Sequence, residues 1–230
     1  MIDVRPFASL GHADHGWLDA HHHFSFANYY DPARMGWGKI RVWNDDRIAG
    51  KSGFPPHPHR DMEIVTYVRT GAITHKDSMG NEGRTEAGDV QVMSAGTGVT
   101  HSEFNLEDEE TTLFQIWIET DRPGVKPGWG QMPFPKEARD GNFQLLASGN
   151  GDDGALTIHA DARILGATVK AGSSVEYRAD PTRHLYLVPS AAVRINGVAA
   201  DARDGVAITG EEVVRIEAEA DAELVLVDAR

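Results

Sequence analysis

The chain of 230 residues contains no long segment with the 3.6-residue apolar period of an amphipathic helix, and this limits its fold more than any other feature. Short runs rich in β-branched and aromatic residues recur instead at roughly 8–12-residue spacing, separated by Gly, Asn and Asp turns. The predicted strands lie at 40–43, 63–68, 90–93, 113–118, 163–169, 184–188, 192–195, 212–216 and 223–227. This spacing predicts an all-β protein built from sandwiches or barrels.

A segment rich in Pro and Gly divides the chain into two parts. Four prolines and three glycines lie between residues 122 and 135, a density that neither a helix nor a central strand tolerates. We therefore interpret this segment as a connector between two similar jelly-roll units, 1–135 and 136–230. Smaller signals are a helical turn at 135–139, a turn cluster at 149–154 and a hairpin at Asn196-Gly197.

Composition excludes several classes of protein. The chain has no cysteine, which excludes disulfides, thiol catalysis and cysteine-ligated metals. Its net charge of −13 repels a phosphate backbone, so we expect no direct binding to nucleic acid. No apolar run approaches the ~20 residues of a membrane helix, and residues 1–17 lack the apolar core of a secretory signal. We therefore expect a cytoplasmic protein with no membrane segment.

The histidines are concentrated in the first part of the chain, where nine of the eleven lie at or before position 101. His57 and His59 stand two residues apart, so on a strand both side chains point to the same face. By the same spacing, Glu63 is expected to share that face. Pro58 has no amide proton to donate and therefore belongs at the start or the edge of a strand.

A second segment repeats this spacing. His101, Glu103 and Asn105 alternate along the chain and are expected to face one side of a strand. If the two strands face each other inside a barrel, three imidazoles and one carboxylate meet. Such a set suits Fe, Mn, Ni, Cu or Zn and leaves positions open for water, dioxygen or substrate. The spacing by itself does not choose between Glu63 and Glu103 as the carboxylate ligand.

These segments resemble known motifs. Residues 53–71 are similar to the first cupin motif, and residues 88–105 are similar to the second. Further strings, in order along the first ~135 residues, resemble the pirin family; they lie at 24–32, 54–60, 75–81, 93–103 and 115–118. The C-terminal third matches that family in length and strand content only.

The pirin resemblance implies a bicupin fold of two jelly-roll β-barrels, with one divalent metal ion in the N-terminal unit and none in the C-terminal unit. The ligands that it implies in this chain are His57, His59, His101 and Glu103. The implied ion is iron, as Fe²⁺, with Mn, Ni, Cu or Zn as alternatives. Because pirins use the Glu two residues after the last His, Glu63 is left a role beside the metal site or in its pocket.

The resemblance also implies a function, which is a dioxygenase that opens the heterocyclic ring of a flavonol such as quercetin. The metal would bind the substrate hydroxyl, and Glu103, as the catalytic base, would take its proton. The alternative is a non-enzymatic, iron-binding, redox-sensitive regulator that binds a partner protein. A deep cavity lined by aromatic side chains would favour the enzyme, and a closed or shallow one would favour the regulator.

The remaining histidines and cations carry less information. The side chains of His21, His22 and His23 alternate between two faces of an extended segment, so we expect no second metal site there. Arg60 and Lys76 are candidates for holding an anionic group of a substrate. Because such residues are common on barrel rims, we assign neither a role.

Overall fold

The structure is a computed structural model that describes residues 1–152 and 154–230. It confirms the all-β prediction, since 22 strands and two short 3₁₀ helices make up the regular structure of these residues. Within the predicted turn cluster at 149–154, Asp153 lies outside the described residues. None of the helices in the described ranges is long and apolar enough to cross a membrane.

Two antiparallel sheets face each other in the first unit. The elements of this part of the chain are β1 (Ile2–Arg5), a 3₁₀ helix (Phe7–Ser9), β2 (Gly11–Asp14), β3 (Leu18–His22), β4 (Ile40–Ile48), β5 (Ser52–His59), β6 (Met62–Thr70), β7 (Ala72–Asp77), β8 (Glu82–Glu86), β9 (Val90–Ser94), β10 (Val99–Asn105), β11 (Thr111–Glu119) and β12 (Gly128–Met132). A seven-stranded sheet has the order β12-β9-β6-β11-β4-β3-β2, and a four-stranded sheet has the order β5-β10-β7-β8. They form an open jelly-roll sandwich and not a closed barrel. Pro58 lies on β5, an edge strand, as its missing amide proton predicts.

The second unit repeats this arrangement. Its elements are a 3₁₀ helix (Lys136–Arg139), β13 (Gln144–Ser148), β14 (Leu156–Thr157), β15 (Ala162–Val169), β16 (Ser174–Arg178), β17 (His184–Pro189), β18 (Val193–Ile195), β19 (Val198–Ala200), β20 (Gly205–Ile208), β21 (Val213–Ala218) and β22 (Ala222–Ala229). A seven-stranded sheet, β1-β20-β17-β22-β15-β13-β14, faces a four-stranded sheet, β16-β21-β18-β19. The N-terminal strand β1 thus belongs to the sheet of the second unit. The division of the chain at 135/136 stays a prediction.

The Pro- and Gly-rich segment holds one strand that the sequence does not predict. β12 pairs with β9 at the edge of the larger sheet, and Pro127 and Pro133 lie just outside its paired residues. The interpretation of 122–135 as connector alone is therefore wrong, because a short edge strand needs hydrogen-bond partners on one side only. The hairpin prediction is confirmed, since Asn196 and Gly197 have positive φ angles of 46° and 84° between β18 and β19.

The seven-stranded sheets of the two units pack against each other through their apolar faces. On β11, Phe114 and Ile116 point into this shared core, whereas Gln115 points into the interior of the first unit. Trp43 of the first unit and Tyr186 of the second, both fully buried, have ring centroids 5.4 Å apart. One face of the larger sheet is therefore structural, and only its inner face is available for a site.

The side chain of Arg139 makes hydrogen bonds to residues of both units. The side chain is fully buried, and Nη2 donates to the Tyr67 hydroxyl at 2.6 Å and to Glu223 at 3.3 Å. Lys136 also donates to Glu223, at 2.7 Å. Tyr67 belongs to the first unit and Glu223 to the second, so loss of this guanidinium would leave polar groups of both units without their partner.

Replacing Arg139 with alanine is expected to lower the free energy of unfolding by about 3 kcal/mol, because it leaves a cavity in place of a fully buried side chain and removes the donor to the Tyr67 hydroxyl, whereas Glu223 keeps Lys136. Denaturant titration followed by tryptophan fluorescence measures the change. Arg178→Ala, at an exposed position of β16, is the control and should shift the free energy by about 0.5 kcal/mol at most. Equal losses in the two variants would contradict a role of Arg139 in joining the units.

Candidate metal centre

Three histidines meet where β5 pairs with β10. His57 lies opposite His101 in the antiparallel register, and His59 follows His57 at the spacing that returns to the same face. One ring nitrogen from each of the three lies within 4.8 Å of the other two. The structure thus brings the three imidazoles together, but on neighbouring strands of one sheet and not on two strands that face each other.

A hydrogen bond fixes which nitrogen of His57 faces the cluster. Its Nδ1 lies 2.8 Å from the carbonyl oxygen of Pro55, which only accepts, so Nδ1 carries the proton. Nε2 of the neutral ring then has a free lone pair. That lone pair faces Nε2 of His101 at 3.0 Å.

A chain of hydrogen bonds has the same effect on His101. Nε2 of His75 donates to a carboxylate oxygen of Asp77 at 3.0 Å, which leaves Nδ1 of His75 as an acceptor. Nδ1 of His101 lies 3.4 Å from that acceptor and donates to it. Burial raises the pKa of Asp77, but hydrogen bonds from His75, Asn81 and Met79 outweigh burial and hold this pKa below its ordinary value. Asp77 is therefore ionised, and with a neutral His75 this chain leaves Nε2 of His101 unprotonated.

Two unprotonated nitrogens thus face each other across 3.0 Å. Their lone pairs repel unless a positively charged group lies between them. Two nitrogens that are each about 2.1 Å from one ion and subtend a right angle there are about 3.0 Å apart. The separation of His57 and His101 matches this value, so the residues present fit a divalent metal ion.

Burial keeps the imidazoles of His59 and His101 neutral. It lowers the pKa of His59 to about 4, with smaller contributions from His101 and His57. It also lowers the pKa of His101 to about 3, with smaller contributions from His57 and His75. Neutral imidazole is the form that binds metal ions, so protons compete weakly for these two rings at neutral pH.

Glu103 is held by donors from the opposite sheet. Its carboxylate is buried; Oε1 accepts from Gln91 at 2.6 Å and from Thr66 at 3.1 Å, and Oε2 accepts from Gln115 at 2.8 Å. Gln91, Thr66 and Gln115 are neighbours in register on β9, β6 and β11. This polar row orients the carboxylate, occupies both lone pairs of Oε1 and leaves one lone pair of Oε2 for an ion or a proton.

Glu103 and His101 belong to a second, overlapping cluster. Ligand atoms of His75, His101 and Glu103 lie within 4.8 Å of one another. His101 therefore takes part both in this group and in the group with His57 and His59. Neither group contains Glu103 together with His57 or His59, so the binding of a single ion by His57, His59, His101 and Glu103 stays a prediction.

The expectation that Glu63 shares the face of the two β5 histidines is wrong. Asp61, with a positive φ of 47°, turns the chain between β5 and β6, and these strands belong to different sheets. Glu63 is fully buried and accepts a hydrogen bond from the hydroxyl of Ser94 at 2.6 Å. Its neighbour Ile64 lines the cavity described below, and Glu63 does not.

Sequence reasoning missed the contribution of His75 and Asp77. Both lie on β7, which pairs with β10 so that His75 is opposite Glu103 and Asp77 is opposite His101. Their spacing of two residues was the available signal, since it equals the spacing of His57 and His59. Without the pairing of β7 with β10, that signal gave no reason to place these residues beside the metal ligands.

Asn105 has a structural role. Its side-chain amide donates to three backbone carbonyl oxygens, at distances of 2.8 to 3.2 Å; these belong to Ile48, Ala49 and Glu109. The amide thus joins the loop between β10 and β11 to the connection between β4 and β5. Its alternation with Glu103 is real, but it does not join the cluster.

Each of the three histidines at 21–23 has a different environment. His21 belongs to a third group of possible ligands with His12 and Asp19, in which the last two lie 2.8 Å apart. His22 lines the cavity, whereas His23 is buried and hydrogen-bonds to a residue of the second unit. None of the three joins the cluster around His101.

A cavity of about 590 Å³ adjoins the histidine cluster. The predicted ligands His57, His59, His101 and Glu103 all line it. Its aromatic lining residues are Phe26, Tyr29, Phe54 and Trp117. The ring of Trp117 packs edge-on against that of His59, with centroids 4.9 Å apart. The volume is typical of sites for small organic molecules, and the wall suits a flat aromatic ring.

Family comparisons cover both units of the chain. A family model described as pirin matches residues 3–118. A second model, described as the quercetinase C-terminal cupin domain, matches residues 145–229. The second unit thus has a family match of its own, although its sequence strings gave none.

Individual relatives match along almost the whole chain. A pirin-like protein of Caulobacter vibrioides is 62% identical over 100% of both chains. A quercetin 2,3-dioxygenase of Escherichia coli K12 is 46% identical over 99% of this chain and 98% of its own. The crystal structure of the bacterial pirin YhhW from Escherichia coli in complex with nickel(II) has a TM-score of 0.93 and 42% identity, over 100% of this chain and 99% of that one.

Because His75 holds the tautomer of His101, His75→Phe is expected to weaken metal binding about 10- to 100-fold. Phenylalanine keeps a ring of similar size but cannot accept the proton of His101 Nδ1. Competitive titration of nickel(II) against a chelating dye measures the affinity, and circular dichroism checks the fold.

The control for this variant is His159→Phe, since His159 lies in the second unit and in none of the ligand groups found among the described residues. It should bind nickel(II) as the unsubstituted protein does. Equal affinities of the two variants would contradict the proposed chain from Asp77 through His75 to His101.

Proposed function

The chain belongs to the pirin family, and from this premise we propose that it is a metal-dependent dioxygenase that opens the heterocyclic ring of a flavonol such as quercetin. The relative named quercetin 2,3-dioxygenase supports this class of substrate. The observation that supports the proposal most is that the histidine cluster and Glu103 line the same cavity. The volume of this cavity is typical of sites that bind small aromatic molecules.

The implied cofactor is one divalent metal ion per chain. The residues that would hold it are His57, His59, His101 and Glu103. When bound, the ion would supply a Lewis acid that lowers the pKa of a substrate hydroxyl and, as iron, manganese, nickel or copper, a partner for dioxygen chemistry. The family resemblance favours iron, and the YhhW relative binds nickel(II).

Glu103 is the base that accepts the proton of the substrate hydroxyl. Its Oε2 accepts one hydrogen bond, from Gln115, and therefore keeps a lone pair for that proton. Gln91 and Thr66 hold Oε1 and prevent the carboxylate from turning away. A base positioned in this way contributes about 10²- to 10⁴-fold to the rate.

Aromatic side chains beside the histidines position the rings of the substrate. The ring centroid of Phe54 lies 6.2 Å from that of His57, and Trp117 lies against His59. A flat ring placed between such side chains buries apolar surface and makes edge-to-face contacts. The substrate is thereby held with its reacting hydroxyl towards the ligands.

The alternative function, a redox-sensitive iron-binding regulator, needs a partner surface and not a cavity. The size and the aromatic wall of the observed cavity favour the enzyme. The regulator becomes the better explanation if fully metallated protein leaves every flavonol intact.

Aerobic turnover of quercetin tests the proposal directly. Protein reconstituted separately with iron(II), manganese(II), nickel(II) or copper(II) is assayed beside the metal-free protein, with the metal content of each sample measured. We expect ring opening, seen as loss of flavonol absorbance, by at least one metallated form with about one ion per chain, and none by the metal-free form.

Two substitutions separate the roles of base and ligand. Glu103→Gln is expected to keep its metal and to lower turnover per ion about 10²- to 10⁴-fold, because an amide offers an oxygen to the ion but does not take the substrate proton. His101→Ala should lose metal and turnover together, since it removes a ligand. Wild-type turnover per ion in Glu103→Gln would mean that the proton goes to another group.

A further inference from the structure

The wall of the cavity contains acids but no fixed cation. Asp46 and Glu103 are its two carboxyl residues, and none of the described residues that line it is a lysine or an arginine. Arg60 and Lys76, the candidates for binding an anion, do not line it. A ligand with a carboxylate or phosphate would therefore find no basic side chain of fixed charge in this wall.

Asp46 stands in a row of apolar residues. On the larger sheet it lies in register between Ala20 on β3 and Leu113 on β11, and Leu113 is opposite Val68 on β6. These three neighbours are buried and belong to one apolar cluster. Asp46, only 2% exposed, is the polar member of the row. It therefore places a carboxyl group in the apolar part of the cavity wall.

One oxygen of this carboxyl group has no partner. Oδ1 of Asp46 is buried and makes no hydrogen bond with any described residue. The preceding Asp45 differs, since it pairs with Arg69 and Arg203. Burial raises the pKa of Asp46 well above its ordinary value, and Asp45 and Glu103 raise it further.

Folded proteins almost always pair their buried polar groups, because an unpaired one is costly. The apolar neighbours of Asp46 provide no donor. A carboxyl group retained in the wall of a cavity under these conditions points to a partner that arrives with the ligand.

We propose that Asp46 forms a hydroxyl-binding subsite, and that the cavity takes an uncharged aromatic molecule with more than one hydroxyl. The inference rests on the proposed function, since one hydroxyl lies at the histidine cluster and another reaches Asp46. The subsite then selects polyhydroxylated rings over rings that carry only the reacting hydroxyl.

A hydroxyl suits Asp46 in either protonation state. It donates to a carboxylate, and it donates to or accepts from a carboxylic acid. An anionic group would be attracted only by the ion at the histidines, because the wall has no lysine or arginine among its described residues, and a ligand cation would be repelled by that ion. The part of the ligand that reaches Asp46 is therefore uncharged. Leu18 and Ala20, which belong to this apolar cluster and line the cavity, offer apolar contact to the ring that bears the hydroxyl.

The test compares two flavonols that differ only in additional hydroxyls. Quercetin and 3-hydroxyflavone share the reacting hydroxyl, but 3-hydroxyflavone has no other. Their dissociation constants are measured with nickel-reconstituted protein in the absence of dioxygen, by quenching of tryptophan fluorescence. We expect the unsubstituted protein to bind quercetin about tenfold more tightly, as for a hydrogen bond to a charged or strongly polar group.

Substitution of Asp46 should remove this preference. Asp46→Leu, which matches its apolar neighbours, is expected to bind the two flavonols about equally, and Asp46→Asn, which keeps an acceptor of the same size, should retain part of the preference. Asp46→Asn also serves if Asp46→Leu does not fold. Glu110→Gln is the control, because it removes an exposed carboxylate close to β4 that lies outside the cavity wall. It should keep the full preference.

If the unsubstituted protein and both Asp46 variants all prefer quercetin over 3-hydroxyflavone by the same factor, Asp46 does not form a hydroxyl-binding subsite. The absence of any preference in the unsubstituted protein, which is the result expected if water alone satisfies Asp46, would overturn the subsite as well.

If neither flavonol binds, the proposed function is wrong. Smaller ligands then test separately whether Asp46 binds a hydroxyl group. The same proteins are titrated with 4-ethylphenol and ethylbenzene, and binding is followed by nuclear magnetic resonance. A preference for the phenol that Asp46→Leu abolishes supports the subsite without the flavonol, and an unchanged preference overturns it.

Discussion

Glu103 is a carboxylate buried in a β-sandwich, and such a group is stable only where donors surround it. The donors are Gln91, Thr66 and Gln115, neighbours on three strands of the facing sheet. These bonds cross the interior and fix β10 relative to the larger sheet. Because β10 also carries His101, the histidine cluster and the cavity beside it depend on the same set of charge-assisted hydrogen bonds.

The imidazoles are oriented from outside the cluster, at both ends of the closest pair. A backbone carbonyl holds the proton of His57 on Nδ1, and the chain from Asp77 through His75 holds the proton of His101 on Nδ1. Both Nε2 lone pairs are therefore directed at one point before any ion binds. Preorganisation of this kind lowers the cost of binding a metal, because the ligands need no change of tautomer and little change of position.

The larger sheet of the first unit serves two purposes because its side chains alternate between two faces. Residues such as Ile116 pack against the second unit, and residues such as Gln115 face the site. The adjacent acids on β4 show the same division. Asp45 is neutralised by two arginines, whereas Asp46 faces the cavity among apolar residues. The second unit thus covers one face of the sheet, and the carboxyl group of Asp46, with its unpaired Oδ1, lies on the side open to a ligand.

The sequence by itself determined the all-β class, the edge position of Pro58 and the alternation that puts His101 and Glu103 on one face of their strand, because these follow from local chemistry with a period of two residues. The family strings added the choice of Glu103 over Glu63, which spacing left open. Only the tertiary structure decided which carboxyl groups face the cluster. The left-handed turn at Asp61 moves the chain from one sheet to the other, and the pairing of β7 with β10 brings distant residues beside the ligands. Both depend on contacts between strands far apart in sequence, which no local pattern encodes.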